Sequence, residues 1–83
     1  MPMYFFHVKN GGPRLAEDEE GSNHFDYASA RREAEDGLRC LTIDAIRSEE
    51  DATRYSIEIA DSVGTLIGTV DAQSVLEARY AAA

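Results

Sequence analysis

Few residues in this chain carry reactive groups, and their spacing limits what they could do together. His7 lies in the opening segment Tyr4-Phe5-Phe6-His7. An imidazole hydrogen-bonded to a carboxylate gains basicity, so a sheet that brought His7 beside Glu58 would create an acid-base pair. A histidine in such a strand is more simply a packed or interfacial residue, and that is the preferred reading. Ser22, His24 and Asp26 supply the three residue types of a nucleophilic triad, but a triad needs a geometry that alternate positions in one loop do not provide. Loss of Met1 would expose Pro2 as a secondary amine able to act as a base.

Metal and phosphate chemistry find less support. His7, His24 and Cys40 are widely spread, without the paired Cys or His spacing of a zinc site. Glu17-Asp18-Glu19-Glu20 offers hard oxygen ligands but not the alternating acidic positions of an EF-hand loop, and reads as a solvated charge run. Asn10-Gly11-Gly12 lacks the helix and lysine of a phosphate loop. Cys40 falls on the flank of a helical stripe with no nearby histidine to activate it, and reads as a half-buried inert thiol. No cofactor and no metal is expected.

Composition excludes further classes. Sixteen acidic residues against eight basic ones give a net charge of -8, which opposes nucleic-acid binding, since that rests on Lys and Arg neutralising phosphates. With 43% apolar and 29% charged residues the chain should fold rather than remain disordered. A single cysteine forbids an internal disulfide. The apolar run from Met3 to Val8 is too short for a signal peptide or a membrane span, so a cytoplasmic protein with no membrane contact is expected.

The elements that would position these residues follow from periodicity. Tyr4 to Lys9 reads as a strand, Asn10-Gly11-Gly12-Pro13 as a turn, and Arg14 to Glu17 as a return strand at a sheet edge. Asp18 to Gly21 breaks that strand. Asp26 is the natural N-cap of a long amphipathic helix, with Phe25 packing on Ala30 as a staple. Its apolar stripe runs Tyr27, Ala30, Ala34, Gly37, Leu38, Leu41 and Ala45, while Ile43 and Ile46 lie on the far side. Gly37 in that stripe implies close approach to the sheet or a bend, and Glu35 and Arg39 can pair at i, i+4. Arg54 to Ala60 and Thr65 to Val70 are the remaining strands, joined by Asp61-Ser62-Val63-Gly64, and residues 72–83 form a tail with a possible short helix over Ala72 to Tyr80.

The expected architecture is therefore a single α+β domain over residues 3–71, ordered β-β-α-β-β. Its four-stranded antiparallel sheet has the order 2-1-3-4, with one long helix packed on one face. Tyr4, Phe6 and Val8 then point to one face of the central first strand and Met3, Phe5 and His7 to the other. Tyr4, Phe6, Ile57 and Ile59 would face the helix, leaving Phe5, His7, Ser56 and Glu58 on the helix-free side.

The Tyr-Phe-Phe-His opening, the acidic stretch closed by Gly21, Asp26 before Ala30 and Ala34, and Glu58-Ile59-Ala60-Asp61 followed by Gly64 together resemble a family of short bacterial proteins described as a domain of unknown function. The resemblance spans about residues 3 to 70 and brings no activity with it. Pro2 heading a strand is also similar to the tautomerase superfamily, although tautomerases pass directly from first strand to helix and this chain does not.

A strand apolar on both faces needs two covers, and a chain of 83 residues with one long helix supplies one. The expected function is accordingly a non-enzymatic protein-interaction module that self-associates as a homodimer or docks a protein partner, through the helix-free face or an edge strand. Phe5, His7, Ser56 and Glu58 are the candidate contact residues. The alternative is a small enzyme or ligand-binding protein using His7 or an N-terminal Pro2.

Overall fold

Aromatic and β-branched residues put Met3–Asn10 into a strand, β1, in the computed structural model, which describes residues 2–76. Gly11, at φ 76°, turns the chain into β2, Arg14–Ala16. A second short segment, β3 at Ser22–Asn23, was not expected. Both pair antiparallel with the same side of β1: β2 at Val8 and Lys9, β3 at Met3 and Tyr4. The interval between them is closed by a side chain, as described below.

The helix α1 spans Tyr27–Arg47. Asp26 caps it as expected, its carboxylate accepting from Ser29 N–H at 2.8 Å. That bond, with one from the Ser29 side chain, holds the Asp26 carboxyl below its ordinary value. Phe25 does not staple: it is 77% exposed, and His24 packs instead, its ring 5.5 Å from Phe6 and 6.0 Å from Tyr4. At the other end Glu50 N–H donates to Ala45 O and Glu49 N–H to Ile46 O. This paired closure places Glu49 at φ 60°, where glycine is the usual occupant.

After a 3-10 turn at Ala52–Arg54, β4 runs Tyr55–Ala60 and β5 runs Leu66–Asp71. The sheet order is β2-β1-β4-β5, with β3 beside β1, and every pairing is antiparallel. The α+β class and the strand order expected from the sequence are thus present, with five strands in place of four. Residues 72–76 are helical, begun by Asp71, whose carboxylate accepts from Ser74 N–H at 2.8 Å. The rest of the expected helix to Tyr80 lies outside the described residues.

The core lies between α1 and one sheet face. Tyr4, Ala30, Ala34, Leu38, Ile57, Ile59, Val70 and Val75 form it, with Phe6, Val8, Tyr27, Leu41 and Tyr55 packed against them. Thr42 is also buried, its hydroxyl donating to Arg39 O at 2.8 Å, so a polar residue sits inside at no cost in unpaired groups. Gly37 is exposed, contrary to its place in the expected stripe; a β-carbon there would make ordinary contact with Ile57 Cδ1 at 3.8 Å. The close approach falls elsewhere: the Tyr27 hydroxyl fills the space a β-carbon of Gly68 would need. Arg39 pairs with Asp36 and Arg31 with Glu35, rather than Glu35 with Arg39.

Candidate functional site

Alternation along β1 and β4 decides which groups meet on the side away from α1. Register sets His7 opposite Glu58, Phe5 opposite Ala60 and Lys9 opposite Ser56. Paired residues share a face, and Phe6, Val8, Ile57 and Ile59 belong to the helix side. Phe5, His7, Ser56 and Glu58 therefore stand together on the helix-free face, as the sequence reading places them.

Their polar atoms are engaged within the chain. Asp18 N–H donates to His7 Nδ1 at 3.1 Å, which leaves the neutral ring with its proton on Nε2. Glu58 accepts from Arg14 Nε at 2.9 Å and lies 3.9 Å from Lys9 Nζ. The hydrogen bond that Arg14 donates to Glu58 is the main cause that raises the Arg14 guanidinium above its ordinary value. His7 and Glu58 are thus cross-strand neighbours whose hydrogen bonds lead to different partners, and the acid-base pair drawn from the sequence is not assembled.

The organiser of this region is Asp18, which sequence reasoning treated as one charge in a run. Its carboxylate accepts from Phe6 N–H at 3.1 Å, from Gly21 N–H at 2.9 Å and from Glu20 N–H at 3.3 Å. It therefore supplies an acceptor where neither β2 nor β3 reaches β1. Gly21, at φ 71°, brings this loop against Phe5 so closely that a β-carbon would lie 2.8 Å from the ring. The one available signal was Asp18 standing three residues before a glycine, the pattern of a side chain that closes its own turn.

Phe5, His7 and Ala60 also line a shallow hollow of about 280 Å³ whose far wall is the turn from Asp61 to Gly64. Asp61 builds that turn by accepting from Val63 and Thr65 N–H at 3.1 and 2.9 Å. A larger hollow of about 510 Å³ lies at the end of α1, where Ile43 and Ile46 meet Val75 and Leu76 between Arg39 and Arg47. The sequence reading left those two isoleucines without a structural place.

Other candidates are dispersed. Ser22 Oγ and His24 Nε2 are hydrogen-bonded at 2.8 Å, yet the third member of that set, Asp26, is committed to the helix cap. The Pro2 carbonyl accepts from His24 N–H at 3.0 Å. Cys40 is exposed rather than half-buried. Among the described residues no group of three or more His, Cys, Asp or Glu could hold a metal ion, and no helix is long and apolar enough to cross a membrane.

Comparison with known proteins gives one family. Residues 3–73 match the Domain of unknown function (DUF6894). No curated protein matches, and no solved structure does.

Proposed function

We propose that this chain, which belongs to the DUF6894 domain family, is a small non-enzymatic interaction module of the cytoplasm that works by protein contact, a second copy of itself being the first partner. The surface offered is the helix-free sheet face, with Phe5, His7, Ser56 and Glu58, or an edge strand. One observation carries the reading: α1 and the helical residues 72–76 pack on one face of the sheet, while on the other His7 Nδ1, Glu58 and Arg14 are engaged in holding a loop and an ion pair.

The hollow beside His7 favours a second reading, a ligand-binding protein working through His7. The Pro2 form of that alternative has no geometric support beyond the strand it precedes. Light scattering across a concentration series separates the readings. A dimer that Phe5→Ser weakens without loss of helix content supports the module. A protein monomeric at every concentration, in which a small ligand shifts the His7 resonances, supports the ligand binder. Because Phe5 rests on the Gly21 loop, Ser56→Lys, between Asp71 on β5 and Lys9 on β1, tests the same face away from that loop.

A further inference from the structure

We infer that the hollow at the end of α1 is a binding site for a free aliphatic carboxylate, its hydrocarbon chain lying between the helix and residues 75–76 and its head group on Arg47. The site is separate from the helix-free face and stands whatever that face binds.

The fold holds both walls. Residues 72–76 are helical and are tied at their start by the Asp71 carboxylate, which accepts from Ser74 N–H at 2.8 Å. Ala72 and Val75 are buried, which fixes Val75 and Leu76 against the side of α1 that carries Ile43 and Ile46. Thr42 gives the lining a short side chain whose hydroxyl already donates to Arg39 O at 2.8 Å. What remains is an apolar trough of about 510 Å³, in the range of about 300–1,000 Å³ typical of pockets for small organic molecules. Ile46 is 57% exposed there, so a hydrocarbon chain laid on it removes apolar area from water.

Charge selects the head group. In a chain with sixteen acids and eight bases, the lining contains two guanidiniums, Arg39 and Arg47, and no carboxylate; Asp44, Glu49 and Glu50, though close in sequence, are not part of it. Arg39 commits Nη1 to Asp36 at 2.8 Å. The Arg47 side chain enters none of the ion pairs among the described residues. The charge open to a ligand is therefore chiefly that of Arg47, whose planar fork suits a single carboxylate. Exposed charges more than about 8 Å away are largely screened at physiological salt, so at this spot the two arginines outweigh the net charge of -8.

Amide and methyl NMR titration of the full chain tests this, with octanoate, 1-octanol, octylammonium and acetate as probes. Octanoate should shift residues 39–47 and 72–76 saturably, while acetate and octylammonium should not. Arg47→Gln should weaken octanoate by about threefold or more and leave 1-octanol unchanged, whereas Ile46→Asn should weaken both. Neither side chain is buried, so an unchanged circular dichroism spectrum is expected of each variant. Octanol binding as tightly as octanoate overturns the selection for an anion, and the absence of any saturable shift overturns the site. Shifts centred on Phe5, His7 and residues 60–64 move the ligand to the hollow beside His7 and overturn this one. Two other occupants would show themselves without octanoate: shifts at Ile43 and Ile46 that follow protein concentration give the hollow to a second copy, and Overhauser contacts between Tyr80 and Ile46 give it to residues 77–83. Either result, with no response to octanoate, refutes the carboxylate.

Discussion

Replacing Asp18 with asparagine keeps the size of the side chain and leaves one acceptor oxygen where there were two. In the native loop one oxygen serves Phe6 N–H at 3.1 Å, and the other serves Gly21 N–H at 2.9 Å and Glu20 N–H at 3.3 Å. Asparagine must turn its amide nitrogen toward one of these sets, so either Phe6 or the Gly21 pair meets a donor in place of an acceptor. A hydrogen bond to a charged group contributes about 1.5–3 kcal/mol when shielded and less where water competes. Phe6 N–H is part-buried and Glu20 N–H exposed, which places the expected loss near 2 kcal/mol at neutral pH. For a domain of this size that is about 8–15 °C in melting temperature.

The same geometry fixes the pH dependence. Burial of the Asp18 carboxyl pushes its pKa up, but the N–H groups of Gly21, Phe6 and Glu20, with the nearby His7, outweigh that and hold it below its ordinary 3.8. A carboxyl whose pKa is lower in the folded state adds stability that is fully present above the unfolded pKa, and that stability disappears as pH falls through the folded value. Urea unfolding of both proteins should therefore show a difference that is constant from about pH 8 to pH 5 and shrinks below about pH 4. A neutral-pH difference under about 0.5 kcal/mol, or one undiminished at pH 2, would refute the role given to Asp18 as the acceptor that completes the sheet edge.

Three further substitutions read out the fold. Gly37→Ala should stabilise by about 0.5–1 kcal/mol in thermal or urea unfolding, because the new methyl meets Ile57 Cδ1 at an ordinary 3.8 Å; destabilisation would mean that the helix must approach more closely there. Gly68→Ala should destabilise by about 1–3 kcal/mol, on the scale of overpacking, and Tyr27→Phe in the same chain should recover part of the loss by removing the hydroxyl from that space. Glu49→Gly should raise stability by about 0.5–1 kcal/mol, since it relieves a side chain held at φ 60°; an unchanged melting temperature would show that Glu49 does not hold that conformation in solution.

Strand order and helix extent were legible because they rest on repeated signals. Alternation at Tyr55, Ile57 and Ile59 and the two-sided opening strand implied β1 and β4 at the centre, and Asp26 marked the helix start. What the sequence hid depends on single contacts. A strand of two residues, Ser22–Asn23, is too short to show a period. Thr42 enters the core because its hydroxyl finds Arg39 O, a local bond that lets a polar residue behave as an apolar one. The staple is absent because Phe25 is turned to solvent, while His24, one residue earlier, packs against Tyr4 and Phe6. At the candidate site, face sharing among Phe5, His7, Ser56 and Glu58 followed from the period of two, whereas the partners of His7 and Glu58 come from a loop and a hairpin that periodicity does not describe.

The need for a second cover changes once those loops are in place. A strand apolar on both sides must be shielded twice, and around Phe5 and His7 the chain supplies much of the second shield itself. Gly21 closes on the Phe5 ring, Asp18 binds His7, which is 9% exposed, and the Asp61–Gly64 turn stands over Ala60, which is 1% exposed. Of the large apolar groups left in water, Val63 belongs to that same turn, Leu66 and Ile67 lie farther along the sheet, and Leu15, Phe25 and Ile46 lie elsewhere. An interaction driven by removing apolar area from water should be centred where that area remains exposed. The two-sided opening strand accounts for the loops that fold over it.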